Sequence, residues 1–135
     1  MDYLLKSEPS TYSFADLQRE KSTIWDGVSN PVALKNMRAM KPGDRLVIYH
    51  TGDERQIIGT AEVASDPYPD PRENDPKLVV IDLKPRERLP RPVTLAEIKA
   101  RQEFRDFELV RMGRLSVMPI SDSRWQKLCK MAARS

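Results

Sequence analysis

Four short segments crowd together residue types that a chain needing only to fold has little use for. Lys6-Ser7-Glu8-Pro9 sets a cation, a hydroxyl and a carboxylate side by side ahead of a proline. Trp25-Asp26-Gly27-Val28-Ser29-Asn30 places a large aromatic beside a carboxylate and a glycine, in a loop that leads to a helix start. Tyr49-His50-Thr51 lies where an apolar run meets a turn, and Arg111-Met112-Gly113-Arg114-Leu115-Ser116 gathers two arginines and a serine around another glycine. Two kinds of chemistry could use such groups. One is proton transfer, with His50 as base and Glu8 or Asp26 as its orienting partner. The other is holding a polar, planar ligand by rings and hydrogen bonds.

The catalytic reading has little else to stand on. The chain has no GxGxxG, no GxxxxGK[ST] and no GxSxG. Ser7 or Ser116 as a nucleophile would need an adjacent base that the sequence does not place. Cys129 is expected on the apolar face of a terminal helix as a buried packing residue. With one Cys and one His, a Cys/His zinc site is out of reach, and no cofactor is called for. No disulfide can close within the chain, which fits a reducing, cytoplasmic setting. The N-terminus does not read as a signal peptide, and no apolar run approaches the roughly 20 residues of a membrane helix. A net charge of +3 permits an anionic partner without demanding one.

The elements that must position these groups are partly legible. Tyr3-Leu4-Leu5-Lys6 is a short strand stopped by Pro9. Ser13 caps a helix running to about Arg19 or Glu20, with Asp16 in its first turn. Asn30 caps a second, with Pro31 at its first position and Ala33, Met37 and Met40 on one face. Lys41-Pro42-Gly43-Asp44 is a type II turn into the strand Arg45–His50. Gln56–Ala64 is its hairpin partner, with Gly59 marking a bulge or a close approach. The proline-rich run from Asp66 to Pro76 reads as loop, and Lys77–Lys84 as a further strand. Thr94-Leu95-Ala96-Glu97 is a capping box. Ser121 caps the last helix, whose inward stripe is Trp125, Leu128, Cys129 and Ala132. The result is a single α+β domain over residues 1–135, a small mixed or antiparallel β-barrel flanked by several helices.

In this order the segments resemble the EVE domain family of the PUA-like superfamily. The resemblance rests on Leu4-Leu5-Lys6-Ser7-Glu8-Pro9, Tyr12-Ser13-Phe14, Trp25-Asp26-Gly27-Val28-x-Asn30-Pro31, Met40-Lys41-Pro42-Gly43-Asp44 and Tyr49-His50. Gly59-x-Ala61-Glu62-Val63, Tyr68-Pro69-Asp70-Pro71, Leu89-Pro90-Arg91-Pro92-Val93-Thr94-Leu95 and Arg114-Leu115-Ser116-Val117-Met118-Pro119 complete it. It spans essentially the whole chain, with one departure at Ser29, where the family more often carries Arg. What it implies is a PUA-like barrel and a non-enzymatic module that reads modified bases, 5-methylcytosine derivatives foremost. The alternatives are an RNA-binding PUA-like module, a nucleotide-processing enzyme, and a protein-interaction domain.

A reader of this kind must flip its base or take it single-stranded. Trp25 is then the first ring wall, since stacking on one aromatic is worth roughly 1–3 kcal/mol. Tyr49 is a second wall or a hydroxyl, and Gly27, with Val28 beside it, lets backbone approach the base face. Ser7, Glu8, Asp26, Asn30 and Ser116 are the edge readers, a carboxylate suiting the exocyclic amine of cytosine or adenine. Lys6, His50 and Arg111 are assigned to the rim. Lys35, Arg38, Arg86, Arg88 and Arg91 are assigned to the phosphates, or else to an ordinary solvated surface.

Overall fold

Local capping chemistry sets the helices. In the computed structural model, which describes residues 1–133, Ser13 Oγ accepts from the Asp16 N–H at 3.1 Å. Asp16 in turn accepts from the Ser13 N–H at 2.9 Å, and this reciprocal pair opens α1 (Phe14–Glu20). Asn30 Oδ1 takes the N–H groups of Val32 at 2.9 Å and Ala33 at 3.2 Å, starting α2 (Pro31–Arg38). Thr94 and Glu97 repeat the box at α3 (Leu95–Lys99). A 3-10 turn at Gln102–Phe104 and the short α4 (Glu108–Arg111) follow. Ser121 Oγ accepts from the Arg124 N–H at 3.3 Å ahead of α5 (Asp122–Ala133).

The strands are β1 (Asp2–Ser7), β2 (Thr23–Trp25), β3 (Arg45–His50), β4 (Gln56–Val63), β5 (Tyr68–Pro69), β6 (Val79–Thr94) and β7 (Val117–Ile120). Gly43 at φ +93° and the Asp44 N–H bond to the Lys41 carbonyl at 3.0 Å make the expected turn into β3. The sheet runs β2-β6-β4-β3-β1-β7, with β5 added on β6. Among the described residues only β1 and β3 pair in parallel; every other ladder there is antiparallel. The sheet curls into a half-barrel with the helices packed against it. Its two edges, β2 and β7, do not pair with each other among the described residues. Leu4, Leu5, Leu46, Ile48, Ile57 and Ile81 fill the sheet side of the core, and Phe14, Phe104 and Phe107 come in from the helical side.

Gly59 proves to be both a bulge and a close approach. The β4 register shifts on either side of it, and the tip of the Phe14 ring occupies the space a side chain would need.

The structure corrects four sequence expectations. Trp25 ends a strand, β2, rather than lying in a loop; its three residues pair with Ile81–Leu83 of β6. Tyr68 and Pro69, expected as loop, pair with Val80 and Val79. β6 continues past Lys84 to Thr94 despite Pro85, Pro90 and Pro92. Beyond Leu83 it has β4 as its only strand neighbour among the described residues, and an edge tolerates residues with no N–H. Cys129 is exposed: the buried stripe of α5 is Trp125, Leu128, Met131 and Ala132, centred on Leu128, which turns Cys129 outward.

Candidate functional site

The end of β1, the whole of β2 and the residue ahead of β7 converge on the gap between the sheet's edges. A cavity of about 730 Å³ opens there. Lys6 and Ser7 of β1 and Glu8 just after it line the cavity on one side, and Thr23, Ile24 and Trp25 of β2 on the other. Asp26, Gly27 and Val28 continue that wall, Ser116 closes it from the far edge, and Thr11, Tyr12 and Arg72 complete it. The volume lies within the roughly 300–1,000 Å³ of small-ligand sites.

Trp25 is both core plug and cavity wall. It is 9% exposed and belongs to the hydrophobic core, yet it lines the opening. Tyr12 braces it edge-on, ring centres 6.1 Å apart at 78°. The Tyr12 hydroxyl is itself tied to Glu20 Oε1 at 2.8 Å. The aromatic wall is therefore fixed by α1 before any ligand arrives. Gly27, at φ +77°, takes a left-handed turn that a side chain would strain, and nothing lies within 4 Å of where a Cβ would stand.

The polar groups differ in how free they are. Ser7 is buried and donates its hydroxyl to the Tyr12 carbonyl. Lys6 Nζ donates to the Gly113 carbonyl at 2.9 Å, and burial pushes its ammonium below the ordinary lysine range. Glu8 Oε1 accepts from the Ser10 N–H at 3.1 Å and the Ser10 hydroxyl at 3.0 Å, so it is half committed to its own turn. Asp26 pairs with Arg72 across the rim.

Other residues singled out in the sequence lie outside the cavity wall. Tyr49 is buried, with Lys6 Nζ 6.0 Å from its ring centre. His50 is buried too: Nε2 accepts from the Phe14 N–H at 3.0 Å, which leaves the ring proton on Nδ1, facing Glu54 at 2.9 Å. Nε2 thus pins α1 to the β3–β4 hairpin, and Nδ1 is engaged within the hairpin itself. Asn30 spends its side-chain oxygen on the α2 cap. Arg111 stands beside Asp106 at 3.4 Å on the surface.

The five cations assigned to phosphates do not form one face around the opening. Arg38 donates to the Lys77 carbonyl at 2.6 Å, and Arg86 pairs with Glu62 at 3.2 Å. Arg88 lies over the Phe14 ring at 5.5 Å. Arg91 is held by the Met131 carbonyl at 3.1 Å and by Glu97. Lys35 is exposed on α2. Arg72, by contrast, is at the opening, and no local pattern of residues points to it, because its loop meets β2 only through the fold. Tyr12 did fall within the Tyr12-Ser13-Phe14 motif, but the motif carries no hint that it backs Trp25. No group of three or more His, Cys, Asp or Glu among the described residues is placed to hold a metal ion. No described helix is long and apolar enough to cross a membrane.

The curled mixed sheet with a ligand-sized opening between its edges is the architecture of the chain's structural neighbours, which are EVE/PUA-like domains. The fold is shared even with an ASCH protein of Zymomonas mobilis, at 14% identity and a TM-score of 0.62 over 96% of this chain and 94% of that one. The EVE domain model matches residues 2–131, and the chain belongs to the EVE domain family. A solved protein of Rhodopseudomonas palustris is 38% identical with a TM-score of 0.92, covering 97% of this chain and 92% of its own. Human thymocyte nuclear protein 1 is 27% identical over 91% of this chain and 70% of its own length. The human THYN1 protein in complex with DNA containing 5-methylcytosine superposes with a TM-score of 0.89 at 27% identity, covering 99% of this chain and 98% of that one.

Proposed function

We infer that this protein is a non-enzymatic nucleic-acid-binding module that takes a modified base, a 5-methylcytosine derivative foremost, into the cavity between β1 and β2. The observation that carries the reading is the cavity itself, walled by a Trp25 that Tyr12 has already fixed, in a fold that matches a methylcytosine-DNA complex nearly end to end. A pre-set ring suits stacking, because no side-chain freedom is lost when the base arrives. Ser7, Glu8, Asp26 and Ser116 border the space where a base edge would lie. A duplex base is stacked out of reach of such a pocket, so the ligand is single-stranded or flipped. Nothing at the site favours turnover: His50 has both nitrogens committed away from the cavity, and the Ser7 hydroxyl is spent on a carbonyl. A cytoplasmic setting, where a lone thiol such as Cys129 stays reduced, suits this role.

One methyl group filling an apolar niche gains about 0.8 kcal/mol, roughly a fourfold preference. Titration of the protein's fluorescence with matched cytosine and 5-methylcytosine oligomers, DNA and RNA, tests the reading. The expected result is modest affinity with a several-fold preference for the modified strand. Absence of binding to every oligomer at low salt, where phosphate contacts are strongest, would overturn it.

A further inference from the structure

Building on the base-reader reading, we propose that Arg72 is a phosphate-responsive latch: it holds Asp26 until a nucleic-acid backbone draws the guanidinium away, and only then frees that carboxylate to read the base. The loop tip around Arg72 is constructed rather than loose. Asp70 is 6% exposed, and its Oδ1 accepts from the Arg72 backbone N–H at 3.0 Å while facing Arg72 Nε at 3.6 Å. The Asp70 N–H bonds to the Leu78 carbonyl at 2.9 Å, and its own carbonyl accepts from the Glu73 N–H at 3.1 Å. Just before the tip, the Tyr68 hydroxyl donates to Asp82 Oδ1 at 2.6 Å and ties the loop to β6. A buried carboxylate thus faces the inner side of the guanidinium, and the outer Nη2 reaches across the cavity mouth to Asp26 Oδ2.

The two ends of this arrangement are unequal. The Asp70 side chain is 7% exposed, whereas Asp26 is 41% exposed and Arg72 63%. The inner contact is shielded and persists, while the outer pair stands in water, is screened, and is weakly held. A phosphate offers the guanidinium more charge and acceptors for two N–H groups at once, where Asp26 engages Nη2 alone, so it displaces Asp26 without dislodging Arg72 from Asp70. Asp26 follows directly after Trp25 and lines the same cavity. Once released, it can accept from the exocyclic amine of a base stacked on that ring. The coupling makes base reading conditional on an attached backbone. A free nucleoside, having no phosphate, meets an Asp26 whose Oδ2 is still engaged and whose charge the guanidinium offsets.

The test compares wild type with Arg72→Gln by calorimetry, using 5-methyl-2′-deoxycytidine and a short single-stranded DNA carrying 5-methylcytosine, after thermal melts confirm that the variant folds. The expected signature is a pair of opposite changes. Oligomer affinity falls about fivefold at low salt, and the log–log salt slope loses about 0.7, one strand contact. Nucleoside affinity rises several-fold. A loss of Arg72 that weakens both ligands alike, or alters neither, overturns the latch while leaving the base reader standing. Failure of the wild type to bind the oligomer at all overturns the base-reader reading, and the latch with it.

Discussion

Gly59 sits in mid-strand on β4, opposite Ile48 of β3 and Arg88 of β6. A Cβ there would stand 2.4 Å from Phe14 Cζ and 2.6 Å from Cε1 and Cε2. Carbon atoms settle at about 3.5–4.0 Å, so the overlap exceeds 1 Å and the ring must move. Phe14 has no easy retreat. It is fully buried, its N–H is held by His50 at 3.0 Å, and the Arg88 guanidinium covers its ring. Forcing one methyl into such a site costs about 1–3 kcal/mol. The stiffer unfolded chain of an alanine variant returns about 0.4–1 kcal/mol. With an overlap this deep the packing cost stands at the upper end of that range, so Gly59→Ala is expected to lose about 2 kcal/mol net in urea unfolding followed by tryptophan fluorescence. Phe14→Leu, which shortens the ring side, destabilises on its own by leaving a void. The double variant should recover part of the loss, because the new methyl enters that void. Since α1 begins two residues after Tyr12, Gly59→Ala should also loosen the brace on Trp25 and weaken base binding. A Gly59→Ala protein as stable as wild type, or effects that add within about 0.3–0.5 kcal/mol, would refute this reasoning.

Two further outcomes follow from the geometry around the site. Tyr68 donates to Asp82, and that bond, with burial and the Asp82 and Asp70 charges, pushes its phenol up to about 12. A proton held more tightly in the folded state gives stability that is fully present below the unfolded value near pH 10 and is lost as pH rises toward 12. Tyr68→Phe should thus be less stable than wild type at pH 8 and converge on it in melts run upward from pH 10; a gap that stays constant would contradict this. Asn30→Ala removes the α2 cap and should cost about 1 kcal/mol. It should leave the preference for a modified base unchanged, because the Asn30 oxygen is committed to Val32 and Ala33; a lost preference would place Asn30 at the base instead.

Features set by near neighbours along the chain are legible in the residues alone. The Ser13, Asn30 and Thr94 caps and the Gly43 turn each depend on residues two or three positions apart. The parts that are not legible depend on distant pairing. β2 is three residues long with Ile24 exposed, so it shows too little alternation to be seen without β6 beside it. The prolines of β6 are stop signals locally, and they are tolerated where β6 has no second strand neighbour among the described residues. β7 hides Pro119 in the same way, as an edge strand against Tyr3 of β1. In the site, the wall residues Trp25, Asp26 and Gly27 stand out by type. Their supports do not: Tyr12 backs the ring through α1, and Arg72 arrives from a loop more than forty residues further along the chain. His50 draws notice as the sole histidine, yet its tie to Phe14 forms only when the hairpin meets α1.

Base reading by this protein comes down to a location: a modified base stacked on Trp25 between β1 and β2. That location is tested most directly by intermolecular NOEs from the 5-methyl protons of a 5-methylcytosine oligomer to isotope-labelled protein. Contacts are predicted to the Trp25 and Tyr12 rings and to Val28, all lost in Trp25→Ala while the fold is retained. Contacts that instead map to the outer face of β6 around Arg86 and Arg88, or that survive in Trp25→Ala, would contradict it.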